Sequence, residues 1–388
     1  MTPACEFLGY HRPDGRVGIR NHLLVLSAGG LTGPTTRRIG AAIAGAVTVS
    51  LPYGVGLIGR DQEVHRAALL GLATHPNVGG TLLIGDNPRL MEDVTSAVAA
   101  SGKAHAAFTL DDCGHDALTL TDRGMRAGAG LAREISALRR APAPLSALTI
   151  GLECGRSDPS SGLVANPLLG LIADRVVDAG GRAVIGETME WLGAEHLLAR
   201  RARSSKVAAA IIAAVTARES AAVAAGIDLT GNNPSPTNVA AGLSSIEEKS
   251  LGNIAKSGQR PIEGVIGYGE APPGKGIWVM DAPAYAPESI TGFVVAGAQL
   301  VLFTTGVGNS YVSALAPTLK LSANPAACAA LHQQLDFDAS GTFQGREGAP
   351  QSAERLLGLM LDIASGQATW GEVLKEGDEV VSRFGAAL

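Results

Sequence analysis

The chain has 388 residues, 46% hydrophobic and only 4% aromatic, and its 31 Lys and Arg against 36 Asp and Glu give a formal net charge of −5. With the basic residues spread along the chain, this excludes the positive stripes and stacking platforms of a nucleic-acid binder. The length suffices for two or three domains with substantial cores.

Cys5, Cys113, Cys154 and Cys328 stand without a close pair, the usage of the reducing cytosol, and a cytoplasmic location is expected. No long apolar run opens the chain, and stretches such as AAIAGAVTVSLPYGVGLIG are interrupted by Gly and Pro. Neither a secretory leader nor a membrane partner is expected.

In chain order, HLLVLSAG reads as a strand ending in a glycine turn, and TGPTTRRIGAAIAG as the helix after it. The pattern recurs through AVTVSLPYG, RDQEVHRAALLGLATHPNV, GGTLLIGDNP, RLMEDVTSAVAASG and AHAAFTLDD. Such alternation predicts an α/β fold of two or three domains with mainly parallel, Rossmann-like sheets. Pro142 and Pro144 mark a boundary, giving an N-terminal α/β domain over 1–140 and a C-terminal catalytic one over 145–388, subdivided near 230–260. Beyond it, LSALTIGLECG, NPLLGLIADRVVDAGG and RAVIGETMEW repeat strand, helix, strand. One long helical region, HLLARRARSSKVAAAIIAAVTARESAAVAAG, precedes the loop GNNPSPTNVAAG, the helix IEEKSLGNIAKSG, the strand EGVIGYGE and a tail read as helical after Pro350.

Ligands collect beyond the carboxyl ends of parallel strands, so polar clusters directly after apolar runs carry the most weight. The stretch from Tyr10 to His22 holds Arg12, Arg16, Arg20, His11 and His22, which can clamp a carboxylate or simply make structural ion pairs. The stretch Glu153-Cys154-Gly155-Arg156-Ser157-Asp158, continuing to Asn166, concentrates a thiol, a guanidinium and acids after a strand. Helix capping and a buried thiol are its plain alternative. Asn232 to Asn238 is rigid and rich in donors, and Lys249 and Lys256, seven residues apart, can share a helix face. Thr304, Thr305 and Asn309, with Asn324 downstream, form an anion nest or an ordinary glycine turn. Glu187 and Glu190 can share a face if a helix begins there, to bind a metal or move a proton. No Walker loop, dinucleotide fingerprint, HExxH or nucleophile elbow is present, and DDCGH is only a weak ligand pattern.

Five motifs in order, GYHRPDGRVGIRNH, HPNVGG, ECGRSDPSSGLVANP, GNNPSPTNVAAGLSSIEEKSLG and LVLFTTGVGNSYVSALAPTLKLSAN, resemble the altronate and galactarate dehydratase family, including the sulfolactate sulfo-lyase large subunit. The resemblance implies loss of water, or of sulfite in one branch, from a 2-hydroxy acid to give a 2-keto acid. It also implies a divalent metal, iron(II) in the dehydratase branch, and a small β-rich domain or separate subunit. Self-association into a homo-oligomer is expected as well. The chain departs from relatives at Gly54-Val55-Gly56, at Gly85-Asp86-Asn87 and at Asn253, where cysteines are usual, and at Val307-Gly308-Asn309. Lost thiolates imply a changed metal site, metal-free chemistry or a different substrate.

For elimination, the candidate carboxylate clamps are Arg12, Arg20, Arg156 and Lys256, and the candidate base is Lys249 or His22. Glu187 and Glu190 are candidate metal ligands; Cys154, Ser157, Asp158, Asn166, Asn238, Thr304, Thr305 and Asn324 are candidate orienting groups. A carbon–sulfur lyase, or a non-lyase family member that binds an organic acid, is the alternative.

Overall fold

The computed structural model describes residues 5–54, 56–229 and 233–385. Val55, Gly231 and Asn232, singled out in the sequence, lie outside them. Two parallel sheets dominate. The N-terminal one orders its strands Ala46–Ser50, His22–Ser27, Val78–Gly85, Ala104–Thr109, all neighbours parallel. Helices Gly33–Ala42, Arg60–Ala73, Pro88–Ala100 and Ala117–Ile135 alternate with these strands, as the sequence grammar predicts.

The second sheet has seven strands, all parallel: Ile262–Ile266, Gly276–Met280, Arg182–Ile185, Thr149–Cys154, Leu300–Thr304, Thr318–Ser322 and Phe337–Asp338. Thr149–Cys154 comes first in the chain yet sits at the centre, with later strands laid on both sides. Its carboxyl end is therefore a topological switch point, the crevice where open α/β sheets bind ligands. Cys154 ends that strand beside Thr304 of its neighbour.

One face of this sheet, with Leu152, Ile185, Ile277 and Leu302, shares a core with Leu169 and Leu356 of flanking helices. The other face, through Val184, Val301 and Phe303, joins Leu24, Leu26 and Val49 of the N-terminal sheet and Leu69 of the helix Arg60–Ala73 in a single core. Gly71 permits this junction, because a Cβ there would lie 2.3 Å from the Val295 carbonyl oxygen.

Several expectations change. The boundary prolines lie in an edge strand, Ala141–Pro144, antiparallel to Glu6–His11, where missing N–H groups are tolerated. The long helical region is two helices, Glu195–Arg200 and Ser205–Ala224, and Ser204 starts the second by accepting from the Val207 amide. Among the described residues, Ser205–Ala224 alone has the length and apolar composition of a membrane span, a feature the sequence reading passed over. The strand Gly276–Met280 was not foreseen either. Among the described residues the tail is helical over Ala349–Ala364 and Trp370–Leu374 only. Lys375 then adopts φ 57°, and Gly377–Asp378 pairs with Val312–Ser313. The extended end reaches Asp61, whose carboxylate accepts from the amides of Phe384 and Gly385 at 2.6 and 2.8 Å.

Candidate active site

Three elements converge beyond the central strand of the larger sheet. The first is the strand end itself, Glu153 and Cys154, followed by Arg156 with φ 54°. The second follows Arg182–Ile185: Glu187, at φ 65°, turns the chain into the 3-10 turn Thr188–Trp191 that carries Glu190. The two glutamates thus converge through a left-handed residue and a tight turn, not through the first turn of an α-helix. The third is the helix Ile246–Ala255, capped by Ser245, which accepts from the Glu248 amide. Lys249, Asn253 and Lys256 follow one another at four and three residues, so this helix points all three at the same place.

The resulting cluster is buried: Glu153 and Lys256 are 0% exposed, Asn253 1%, Cys154 and Glu187 2% and Glu190 5%. Lys256 Nζ donates to Glu187 Oε2 at 2.7 Å and to Cys154 Sγ at 3.3 Å. Lys249 Nζ lies 2.7 Å from Glu190 Oε1 and donates to Asn233 Oδ1 at 2.7 Å. Asn253 Nδ2 sits 3.0 to 3.2 Å from Glu190 Oε2, Glu187 Oε2 and Cys154 Sγ.

Burial pushes the Glu153 carboxyl well above the usual range, and the Glu187 carboxylate beside it adds to the rise. Burial and then Glu187 raise Glu190 as well, although Lys249 opposes this. Burial also pushes the Cys154 thiol well up, with Lys256 pulling the other way. For Glu187 the balance reverses: burial pushes it up most strongly, but the Lys256 ammonium, a hydrogen bond with Glu153 and the Lys249 charge together bring the net direction down. Burial would depress Lys249, yet its ion pair with Glu190 keeps it raised.

Cys154 Sγ and one carboxylate oxygen each of Glu187 and Glu190 lie within 4.8 Å of one another, a spacing that can hold a cation. Two polar atoms support this fit, because among the described residues Glu153 Oε2 and Asn253 Oδ1 find no hydrogen-bond partner and are buried. The donors also fit in charge: three carboxyls and a thiol face two lysines, which leaves capacity for a further positive charge. One sulfur and several oxygens suit a borderline divalent ion such as iron(II).

A cavity of about 480 Å³ opens over the cluster. Cys154, Glu187, Glu190, Lys249 and Arg156 line it together with Asn233 and Asn238, while Met189, Leu229 and Ala286 form an apolar side. The Arg156 guanidinium makes one long contact, 3.5 Å to the Gly308 carbonyl oxygen.

The remaining sequence candidates divide by location. Asp158 accepts from Ser160, Ser161 and Asn324, so it ties the loop to the cap of the helix Pro325–Ala330. Asn238 closes a capping box with Ser235 and donates to the Ser157 carbonyl oxygen. Asn166 receives the Thr304 hydroxyl and donates to the Gly252 carbonyl oxygen, and Thr305 accepts from the Gly308 amide. These groups brace the loops around the cluster.

Arg12, Arg20 and His22 are not brought to it. Arg12 donates to the Pro76 and Arg20 carbonyl oxygens and to Asn21. Arg20 grips Glu372 with two bonds of 2.6 and 2.9 Å and donates to the Ile363 and Gln367 carbonyl oxygens. His22 opens a strand of the N-terminal sheet beside Arg20, and burial pushes it down to about 4. The donors of Arg12 are spent inside the N-terminal part of the chain, and those of Arg20 on fastening it to the C-terminal helices. Lys256 also differs from its expected role, since it lies beneath the cluster and not along the cavity wall. Sequence reasoning left Glu153 and Asn253 out of the site; the position of Asn253 between two lysines of one helix face was the available signal.

Comparison with known proteins agrees. The family described as D-galactarate/Altronate dehydratase, C-terminal, matches residues 145–387, and D-galactarate dehydratase/Altronate hydrolase, second domain, matches residues 9–136. The chain is 34% identical to (2R)-sulfolactate sulfo-lyase subunit beta of Chromohalobacter salexigens over 97% of both chains. It is 32% identical to altronate dehydratase of Bacillus subtilis and 30% to that of Escherichia coli, covering 74% of each. Matches of this extent, together with the buried thiol, carboxylate and lysine cluster at the switch point, establish that the chain belongs to the altronate/galactarate dehydratase family and is a lyase.

Proposed function

We propose that the protein removes water from a small anionic 2-hydroxy or sugar acid. The C2–H bond breaks with its proton going to Lys249, its electrons form C2=C3, the C3–O bond breaks as the departing hydroxyl takes the proton held on Glu190 and leaves as water, and the enol becomes a 2-keto acid. The observation that carries this reading is the Lys249–Glu190 pair, 2.7 Å apart, on the wall of a cavity that also presents Arg156. The guanidinium offers a fork for the substrate carboxylate. The ion pair holds Lys249 protonated at rest, so its proton must first pass to Glu190 Oε1, whose affinity for it burial raises, before Lys249 Nζ can take the α-proton. The ammonium so formed then stabilises the enediolate charge.

Cys154, Glu187 and Glu190 would hold a divalent cation, iron(II) on the resemblance, which supplies Lewis-acid assistance to the departing hydroxyl. Lys256 holds Glu187 and the thiol in place from below. The proposal includes a separate small β-rich subunit, self-association and a cytoplasmic location.

The test is 2-keto-acid release over a panel of hydroxy acids, with Lys249→Met as the control. Turnover should fall by at least about 100-fold; a variant that turns over within a few-fold of wild type refutes the base assignment. The extent of the match to the sulfo-lyase subunit favours a second reading, carbon–sulfur cleavage, which sulfite release would identify.

A further inference from the structure

Asn253 lies at the centre of the cluster with one end of its amide crowded and the other idle. Nδ2 faces three acceptors, Cys154 Sγ, Glu187 Oε2 and Glu190 Oε2, but carries only two hydrogens. Oδ1 of the same side chain, which is 1% exposed, has no hydrogen-bond partner among the described residues. The groups that converge on Nδ2 are the ones spaced to hold a cation. A half-turn about χ2 exchanges the two ends, and costs nothing in volume because N and O are close in size.

We propose that Asn253 is a reversible amide gate. Nδ2 points inward and cross-links the thiol and carboxylates while no cation is bound; Oδ1 points inward as a neutral fourth ligand when one is. A set of one sulfur and three oxygens moves the site's preference away from thiophilic ions such as Cd²⁺ and toward Mn²⁺ and Fe²⁺. This inference rests on the metal-bearing reading of the site, but not on the identity of the substrate.

The experiment is equilibrium dialysis with elemental analysis, using Mn²⁺ and Cd²⁺ separately on the full chain, for wild type and for Asn253→Leu, Asn253→Asp and Asn253→Cys. Asn253→Leu, similar in size but without a ligand atom, should weaken Mn²⁺ binding by about 10–100-fold. Asn253→Asp, which keeps an oxygen, should bind Mn²⁺ at least as tightly as wild type, so a general packing defect is separated from loss of a ligand. Asn253→Cys should shift the Cd²⁺ to Mn²⁺ affinity ratio upward by at least about tenfold. Unchanged Mn²⁺ affinity in Asn253→Leu, equal weakening in the Leu and Asp variants, an unmoved ratio in the Cys variant, or no binding by wild type each overturns the proposal. Keto-acid release is a separate assay, so failure of the lyase proposal registers independently.

Discussion

Replacing Lys256 by Met removes one charge from an ion pair whose side chains are 0% and 2% exposed. At 2.7 Å and an effective dielectric of about 20, their attraction is about 6 kcal/mol. Desolvation offsets part of this, and deleting one partner of such a pair costs about 3–5 kcal/mol. That is a large share of a typical folding free energy of about 5–15 kcal/mol. The loss should depend on pH. Lys256 depresses Glu187 in the folded state against the upward push of burial. The stability this contributes is present above the unfolded carboxylate pKa of about 4.3 and is lost as pH falls through the folded value. In the variant, burial is left opposed by one ammonium fewer, and Glu187 titrates higher. Urea midpoints of chelator-treated wild type and Lys256→Met should therefore differ most near pH 7.5 and converge toward pH 4. A difference below about 1 kcal/mol at pH 7.5, or one that widens on acidification, would refute the reasoning.

Arg20→Met should destabilise the fold by about 3–5 kcal/mol through the loss of its bonds to Glu372 and the 363–367 carbonyls, while kcat/KM of the folded fraction stays within a few-fold. A selective loss of turnover would return Arg20 to the substrate site. Arg156→Met should raise KM at nearly unchanged fold stability, read by steady-state kinetics and melting. Glu379, buried among donors from Ser313 and Thr291, is pushed up to about 7 by burial. The folded state then binds more protons than the unfolded one between about pH 4.5 and 7, so stability falls as pH rises through that window. Glu379→Gln should flatten that slope, and a melting profile unchanged in shape would contradict it. Gly71→Ala should cost about 1–3 kcal/mol, because its Cβ meets the Val295 backbone; a denaturant midpoint equal to wild type would show that the helices can separate freely.

The cluster was legible where residues close in sequence share a face. Glu187 and Glu190 stood out by spacing, although the turn that joins them was unforeseen. Lys249 and Lys256 stood out by their seven-residue repeat, whereas the neutral amide of Asn253 between them drew notice only as a missing cysteine. Glu153 stood only at the head of its polar stretch, because its role comes from Glu187 in the turn after another strand. The arginines and histidines of residues 11–22 looked like a clamp by density alone. The true partners of Arg20, Glu372 and the carbonyls of 363–367, lie hundreds of positions away, and nothing local announces such a pairing. The strand Gly276–Met280 is short and follows prolines, so its identity comes from the sheet that receives it.

The bonds from Arg20 to residues 363–372, and from Asp61 to residues 384–385, join the beginning of the described chain to its end. Contacts of such sequence separation form late, after most of the entropy of loop closure has been met. A ribosome therefore releases the first sheet well before its fastenings exist, and the apolar face bearing Leu24, Leu26 and Val49 waits uncovered in the interval. The two sheets should then behave as one cooperative unit in unfolding, and residues 1–140 made alone should need the remaining residues, supplied in trans, to stay in solution.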